Sequence, residues 1–498
     1  MDERVKEELG QIGQSSAVAM GSIVLRTLLR SSLSYAFISA AGAGLYGLLS
    51  IFLRFQRIIV STLSGLKFGI IRTVPRVPER AQDAVVTASI PVALLLWVVI
   101  SGIFATFPEE VVAATALTQS ETTAVSVFGF LCLPFLFFPV YTGVFESHRR
   151  ITELNLSKSV GFPLGMLVGA VGAGVAGVGL LGTWAAISFS VGVVSIVVGA
   201  RIHSLHGLVL DRSFSDTVRE FLRYVSEASV VSVLATVQFS GVFVLMAVFL
   251  NPLEAGLFSL AYTLSGVIRW PLDAVNQIFP PIMTSLYQDG RKDALGSLYS
   301  STSVCIVFVS IPVAVAGIVF APEILGMFST RYVSNAVVLP ALVLSELAAG
   351  AVGSVGNLLK MTDNQRTSIV VQAGVVTLMA GPAILLTREL GVVGLAASGA
   401  ASLFLNNVLE VGAVYRVTGL SPFRAAHLWL ACLGALVLVS TALSKHFNGL
   451  IAAGAVFLAC ASAYYWAGFR RVLGEDQRAI LREVSRTVFG GLSSHLRR

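Results

Sequence analysis

The chain has 498 residues, 55% of them hydrophobic and 12% charged, with a mean hydropathy of +0.83 and a formal net charge of +7. Soluble domains carry about 25% charged residues, so this composition excludes a soluble globular fold and defines a polytopic membrane protein. Four cysteines, Cys132, Cys305, Cys432 and Cys460, form no C-x-x-C pair and lie in apolar runs, which reads as packing and not as a disulfide framework.

Apolar runs of spanning length begin near Ala17 and predict fourteen helices, at 17–39, 45–70, 84–107, 123–145, 156–178, 181–203, 224–249, 254–279, 297–320, 335–358, 367–387, 392–416, 425–443 and 449–469. The expected fold is all-α. A cytoplasmic N-terminal segment, 1–16, precedes an N-lobe of six helices at 17–203. A cytoplasmic loop at 204–223, too short for a soluble domain, leads to a C-lobe of six helices at 224–416. Helices 13 and 14 follow at 425–469, and a basic tail at 470–498. With the N-terminus placed inside, 25 of the 34 lysines and arginines fall in or at the edges of internal segments, three fall outside and six lie within spans. That asymmetry predicts both termini in the cytoplasm of a cell-membrane protein. In the tail, Ile480, Val484 and Val488 share a helical face among arginines. This suits a helix on an anionic leaflet, with a solvated basic tail as the equal alternative.

Periodicity inside the spans separates two kinds of polar stripe. In helix 2, Ser50, Arg54, Arg57, Ser61 and Ser64 share one face, while helix 1 carries Ser22, Arg26, Arg30 and Ser34 at steps of four. No Asp or Glu occurs from Gln11 to Pro78. The intramembrane acids come later: Glu227, Asp273 and Glu346, with Glu410 near a span end. Mid-span charge costs about 2.5–3.5 kcal/mol per residue on insertion scales, so repeated arginines imply a basic, water-filled cavity in preference to pairing with distant acids. Helix 8 aligns Tyr262, Gly266, Arg269, Asp273 and Asn276, with Arg269 and Asp273 at ion-pair spacing and a kink expected at Trp270-Pro271. Helix 10 aligns Glu346, Gly350, Gly353 and Asn357, and helix 12 aligns Ser398, Ser402, Asn406 and Glu410. Such groups bond sugars or neighbouring helices.

"GLLSI" at Gly47 and "GLFSL" at Gly256 open spans six helices apart, consistent with a parallel six-helix repeat. "GAGVAG" at Gly172 and "GVGLLG" at Gly177 match G-x-G-x-x-G but follow no strand, and Gly161, Gly165 and Gly169 give a close-packing face instead. His203 and His206 lack companion ligands, so neither a metal site nor a cofactor is expected. No external loop is large enough to house an active site, and no enzyme is expected.

Several stretches resemble the polysaccharide flippase family (Wzx-type) of the multidrug/oligosaccharidyl-lipid/polysaccharide exporter superfamily. They are "GAGLYGLLSI", "GLKFGIIRTVPR", "EAGLFSLAYTLSGVIRWPLDAVNQIFPPIMTSLYQDGR", "APEILGMFSTRYVSNAVVLPAL" and "GVVGLAASGAASLFLNNVLEVGAVYRVTGLSPF". The resemblance implies two six-helix lobes around a central cavity with an extra helix pair. It implies inner-to-outer transfer of a polyprenyl- or dolichyl-(pyro)phosphate-linked glycan by alternating access. Membrane lipids and the glycosyltransferases or polymerase of the same pathway are the implied partners, and nucleic acid is not one. It also implies a phosphate-binding cavity, for which Arg26, Arg30, Arg54, Arg57 and Arg269 are the candidates by helix and depth. Asp273, Asn276, Glu346, Asn357 and Asn406 are the candidate sugar or cavity groups, and Glu227 the candidate for ion coupling. The alternatives are a cation-coupled multidrug exporter of the same superfamily and a non-transport scaffold of a glycan-assembly complex.

Overall fold

A computed structural model describes residues 24–482 except 26, 116, 149, 205–214, 363 and 479, with backbone alone at 151, 227, 230–235, 237–239, 277–278, 280–281, 360–361 and 365. The calls on Arg26, on Val484 and Val488, and on the side chain of Glu227 lie outside the described residues. The described residues contain helices and no strand. Among them, eight helical stretches are long and apolar enough to cross a membrane. The protein is thus an all-helical, multi-pass membrane protein, and it divides into two compact units, Leu25–Leu260 and the chain from Ala261 onward.

The first unit holds α1 (24–41), α2 (Ala43–Thr62), α3 (Ser64–Thr73), α4 (Glu79–Thr106), α5 (Pro108–Ala113) and α6 (Thr122–Leu131). It continues through α7 (Leu133–Leu136), α8 (Phe138–Ser147), α9 (Ile151–Asn155), α10 (Phe162–Ala176), α11 (Gly179–His203) and α12 (Ser215–Phe249), and takes in the start of α13 (Pro252–Ser265). Small residues set the packing. A Cβ on Gly169 of α10 would strike the backbone of Ala186 and Ile187 in α11. Gly165 and Gly169 therefore serve helix contact, as their spacing suggested. Gly65 and Gly69 likewise bring α3 against Val225 and Phe221 of α12. Leu66, Ile70, Leu136, Val140, Val144, Phe221 and Val225 form the apolar core there. A second knot is aromatic: Trp184, fully buried, stacks on Phe128 and Phe135 at 5.2 and 5.6 Å between ring centres. Helix α12, which the sequence places at the opening of the C-lobe, packs along α2 and α3 of this unit.

The second unit comprises the end of α13, then α14 (Trp270–Gln288), α15 (Lys292–Val319), α16 (Ala321–Gly326), α17 (Val338–Val352), α18 (Val355–Met361), α19 (Gln365–Thr418) and α20 (Ala425–Ala467). Its helices are broken where the sequence carries proline or glycine. A 3₁₀ turn, Gly266–Arg269, joins α13 to α14, with Pro271 in the first turn of α14. Proline donates no N–H, and Ser310 Oγ instead donates to the Ile268 carbonyl at 3.1 Å. The single helix expected over 335–358 is two helices: Gly353 takes φ 64°, ψ −146°, a conformation open only to glycine, and α18 restarts at Val355. Gly391 (φ 56°) and Gly449 (φ 82°) break α19 and α20 in the same way, each into two helices. α15 runs through the middle of the unit, packed by α17 on one side and α20 on another.

Candidate functional site

The basic stripe of α2 is partly buried. Tyr46 and Ser50 are buried at its start, and Tyr46 Oη lies 2.9 Å from Ser34 Oγ of α1. One turn beyond Ser50, Arg54 is only 8% exposed, and its guanidinium carbon stands 3.9 Å from the centre of the Phe243 ring of α12. Arg57 is exposed, as is Arg30 of α1. Ser61, the next member of the stripe, shares a 2.8 Å hydrogen bond with Thr236 of α12 and donates to the Ile58 carbonyl. The arginines of one sequence stripe thus have two environments. Arg54 is held against an aromatic face, and Arg57 reaches outward. Lys67, at the far end, pairs with Glu146 of α8 at 2.7 Å.

In the second unit the broken helices gather a polar cluster. Arg269, the last residue of the 3₁₀ turn, has its Nε 3.8 Å from Asp273 Oδ1 and 3.6 Å from Glu346 Oε2 of α17. The local pair expected from the four-residue spacing is therefore a three-residue bridge. Glu346 is 4% exposed, and its Oε2 has the ion pair but no hydrogen bond. Across the Gly353 break, Asn276 Oδ1 accepts from Ser354 Oγ at 2.6 Å and from Asn357 Nδ2 at 3.1 Å. The candidates Asn276 and Asn357 therefore meet directly, while Glu346 and Asn357 stand on opposite sides of the break. Asn406 Oδ1 and its neighbour Asn407 Nδ2 are buried without a hydrogen-bond partner. Glu410 is buried and accepts from Ser368 Oγ and Gln372 Nε2, each at 3.3 Å. Ser354 and Phe243 are among the contributors that periodicity did not single out. The first follows the only-glycine turn, and the second is an ordinary apolar residue of a span. Among the described residues no three His, Cys, Asp or Glu side chains gather in a metal-binding group.

Arginines in a membrane-spanning helix, and helices broken beside amides and carboxylates, are groups that can meet a polar ligand at membrane depth. The fold resembles those of solved membrane transporters. The chain superimposes on the lipid II flippase MurJ in an inward closed conformation with a TM-score of 0.72 at 12% identity, over 90% of this chain and 99% of that one. It superimposes on an inward-facing multidrug resistance MATE transporter with a TM-score of 0.69 at 14% identity, over 79% and 94%. A MOP superfamily transporter from Pyrococcus furiosus gives 0.59 at 15% identity, over 82% and 95%. At these identities the likeness defines the fold alone. No protein-family model and no curated protein matches the sequence.

Proposed function

We propose that the chain is a flippase that carries a polyprenyl- or dolichyl-(pyro)phosphate-linked oligosaccharide across the cell membrane by alternating access, for glycan export. The carrying observation is the stripe of α2. Arg54 and Arg57 lie inside a span, in a stretch from Gln11 to Pro78 that has no acidic residue. A phosphate is the ligand that such a stripe suits, because the planar fork of arginine donates paired, charge-assisted hydrogen bonds to it. A cationic drug would be repelled. The wider coverage by the MurJ fold, 90% of this chain against 79% for the MATE transporter, supports the same reading. Arg26, Arg30 and Arg269 are further candidates for phosphate. Asp273, Asn276, Glu346, Asn357 and Asn406 are candidates for the sugars, and Glu227 for coupling. The proposal retains fourteen crossings with cytoplasmic termini.

The experiment is flipping of a fluorescent polyprenyl-pyrophosphate glycan in proteoliposomes. Charge-assisted hydrogen bonds contribute about 1.5–3 kcal/mol each, so Arg54→Ala with Arg57→Ala is expected to slow flipping by at least about a hundredfold at limiting substrate. Undiminished flipping by a normally folded double variant would sink the phosphate clamp.

The multidrug exporter is the second reading, favoured by the carboxylates of Asp273 and Glu346 in the second unit. Resistance to cationic dyes that depends on Glu346 and not on Arg54 would select it.

A further inference from the structure

Beyond the end of α20 the chain builds a cluster of arginines that the transport reading leaves unused. Trp466, in the last turn of α20, is 54% exposed. The guanidinium carbons of Arg470 and Arg471 lie 5.5 and 5.9 Å from the centre of its ring. Phe469 is flanked in the same manner by Arg478 and Arg482, at 6.0 and 5.9 Å. The two pairs are joined, because Arg478 Nη2 donates to the Arg470 carbonyl at 2.6 Å. Although Glu475 and Asp476 are close in sequence, no carboxylate among the described residues forms an ion pair with Arg470, Arg471 or Arg478.

The cluster has a fixed back. Leu473, Gln477 and Ile480 are buried. Gln477 Nε2 donates to Ser301 Oγ of α15 at 3.2 Å, and its carbonyl accepts from Cys305 Sγ at 3.7 Å. The segment is therefore docked on α15, while Arg470 and Arg471 are exposed and Arg478 is half-buried.

Arg470, Arg471 and Arg478 bring three like charges into one segment with no ion pair among the described residues, and such charges repel one another unless an anion joins them. Tryptophan at the end of a spanning helix marks the depth of the lipid headgroups. A guanidinium within about 6 Å of an aromatic ring is attracted to it, and its N–H groups can still donate. Two turns before Trp466, Leu458 is 66% exposed, within a stretch long and apolar enough to cross a membrane. We propose that Trp466 and Phe469 with Arg470, Arg471 and Arg478 form a binding site for the headgroup phosphate of an anionic membrane lipid. This site is separate from the stripe of α2, and it does not depend on the identity of the transported substrate.

Phosphatidylglycerol is the probe. The full-length protein is placed in nanodiscs of phosphatidylcholine alone or mixed equally with phosphatidylglycerol, and bound lipid is counted by native mass spectrometry after release. Wild type is expected to retain phosphatidylglycerol over phosphatidylcholine, and to lose that preference as salt is raised. Basic residues near an anionic surface contribute about 1 kcal/mol each, so Arg470→Gln with Arg471→Gln should weaken phosphatidylglycerol binding about thirtyfold and leave phosphatidylcholine unchanged. Arg470→Lys with Arg471→Lys should fall between the two. Equal retention of the two lipids by wild type overturns the proposal, whatever the folding of the variants. So does undiminished preference in the glutamine variant, or full displacement by inorganic phosphate, which would make it a site for free anions.

Discussion

Arg54 stands over the ring of Phe243, 3.9 Å from guanidinium carbon to ring centre, although 189 residues separate them in the chain. The contact ties the basic stripe of α2 to α12. Desolvated cation–π pairs contribute about 2 kcal/mol, exposed ones less. In a cycle of Arg54→Met, Phe243→Leu and the double variant, thermal unfolding in detergent should give a coupling of about 1–2 kcal/mol. Strict additivity would mean that the stacking contributes nothing.

Gly47 and Pro252 form a second long-range contact of α2. A Cβ at Gly47 would overlap the Pro252 carbonyl group, whereas one at Gly44, a turn earlier, would meet nothing within 4 Å. Gly47→Ala should therefore destabilise the protein by about 1–3 kcal/mol through forced backbone shifts. Gly44→Ala should be neutral, or stabilising by up to about 1 kcal/mol from helix propensity. Melting temperatures of the two variants in one detergent decide the matter, and equal losses would refute the close approach.

Where the sequence was informative, the signal was local. Spans follow from apolar run length, and the kink at Trp270-Pro271 follows from the missing proline N–H. A spacing of three and four residues defines the α2 stripe, but it does not encode that Arg54 is buried and Arg57 exposed. What escaped reading depends on backbone angle or on distant partners. Gly353 looked like one more small residue on a helical face until its φ of 64° divided the helix, which separates Glu346 from Asn357 and turns Asn357 toward Asn276. Arg269 had a visible partner in Asp273, but its approach to Glu346 needs α17 laid beside the 3₁₀ turn, and no periodicity encodes that. Phe243 carries no sequence mark at all, because an aromatic residue in an apolar span is ordinary.

The Arg269–Glu346 pair gives an asymmetric prediction. Removing the arginine leaves a carboxylate of 6% side-chain exposure without its cation, while removing the acid leaves Arg269, at 38%, still beside Asp273. Arg269→Met should then destabilise more than Glu346→Gln, and adding Glu346→Gln to Arg269→Met should restore about 1–3 kcal/mol. The measurement is a thermal double-mutant cycle on purified protein. If Glu346→Gln is the worse of the two singles, the carboxylate is not held by this arginine.

The break at Gly353 is stabilised from α15. Ending α17 frees its last carbonyls, and two of them are taken up: Val352 O accepts from Tyr299 Oη at 3.0 Å and Ala351 O from Ser303 Oγ at 2.5 Å. Ser303 also lies 3.0 Å from His427 Nε2 at the start of α20, so the break is anchored to two helices. A residue with a Cβ pays for the strained φ, and at Gly353 that Cβ would also press on Ser303 at 3.3 Å. Gly353→Ala should cost about 1–3 kcal/mol, and Tyr299→Phe about 1–2 kcal/mol for a buried carbonyl left without its donor. A break that merely terminates a helix would show only these stability losses. A break that works as a bending point during transport should respond differently: Tyr299→Phe, which loosens it without touching the arginines of α2, should alter the flipping rate while binding of the lipid-linked substrate stays as in wild type. A flipping rate unchanged in a stably folded Tyr299→Phe variant would assign the break to architecture alone.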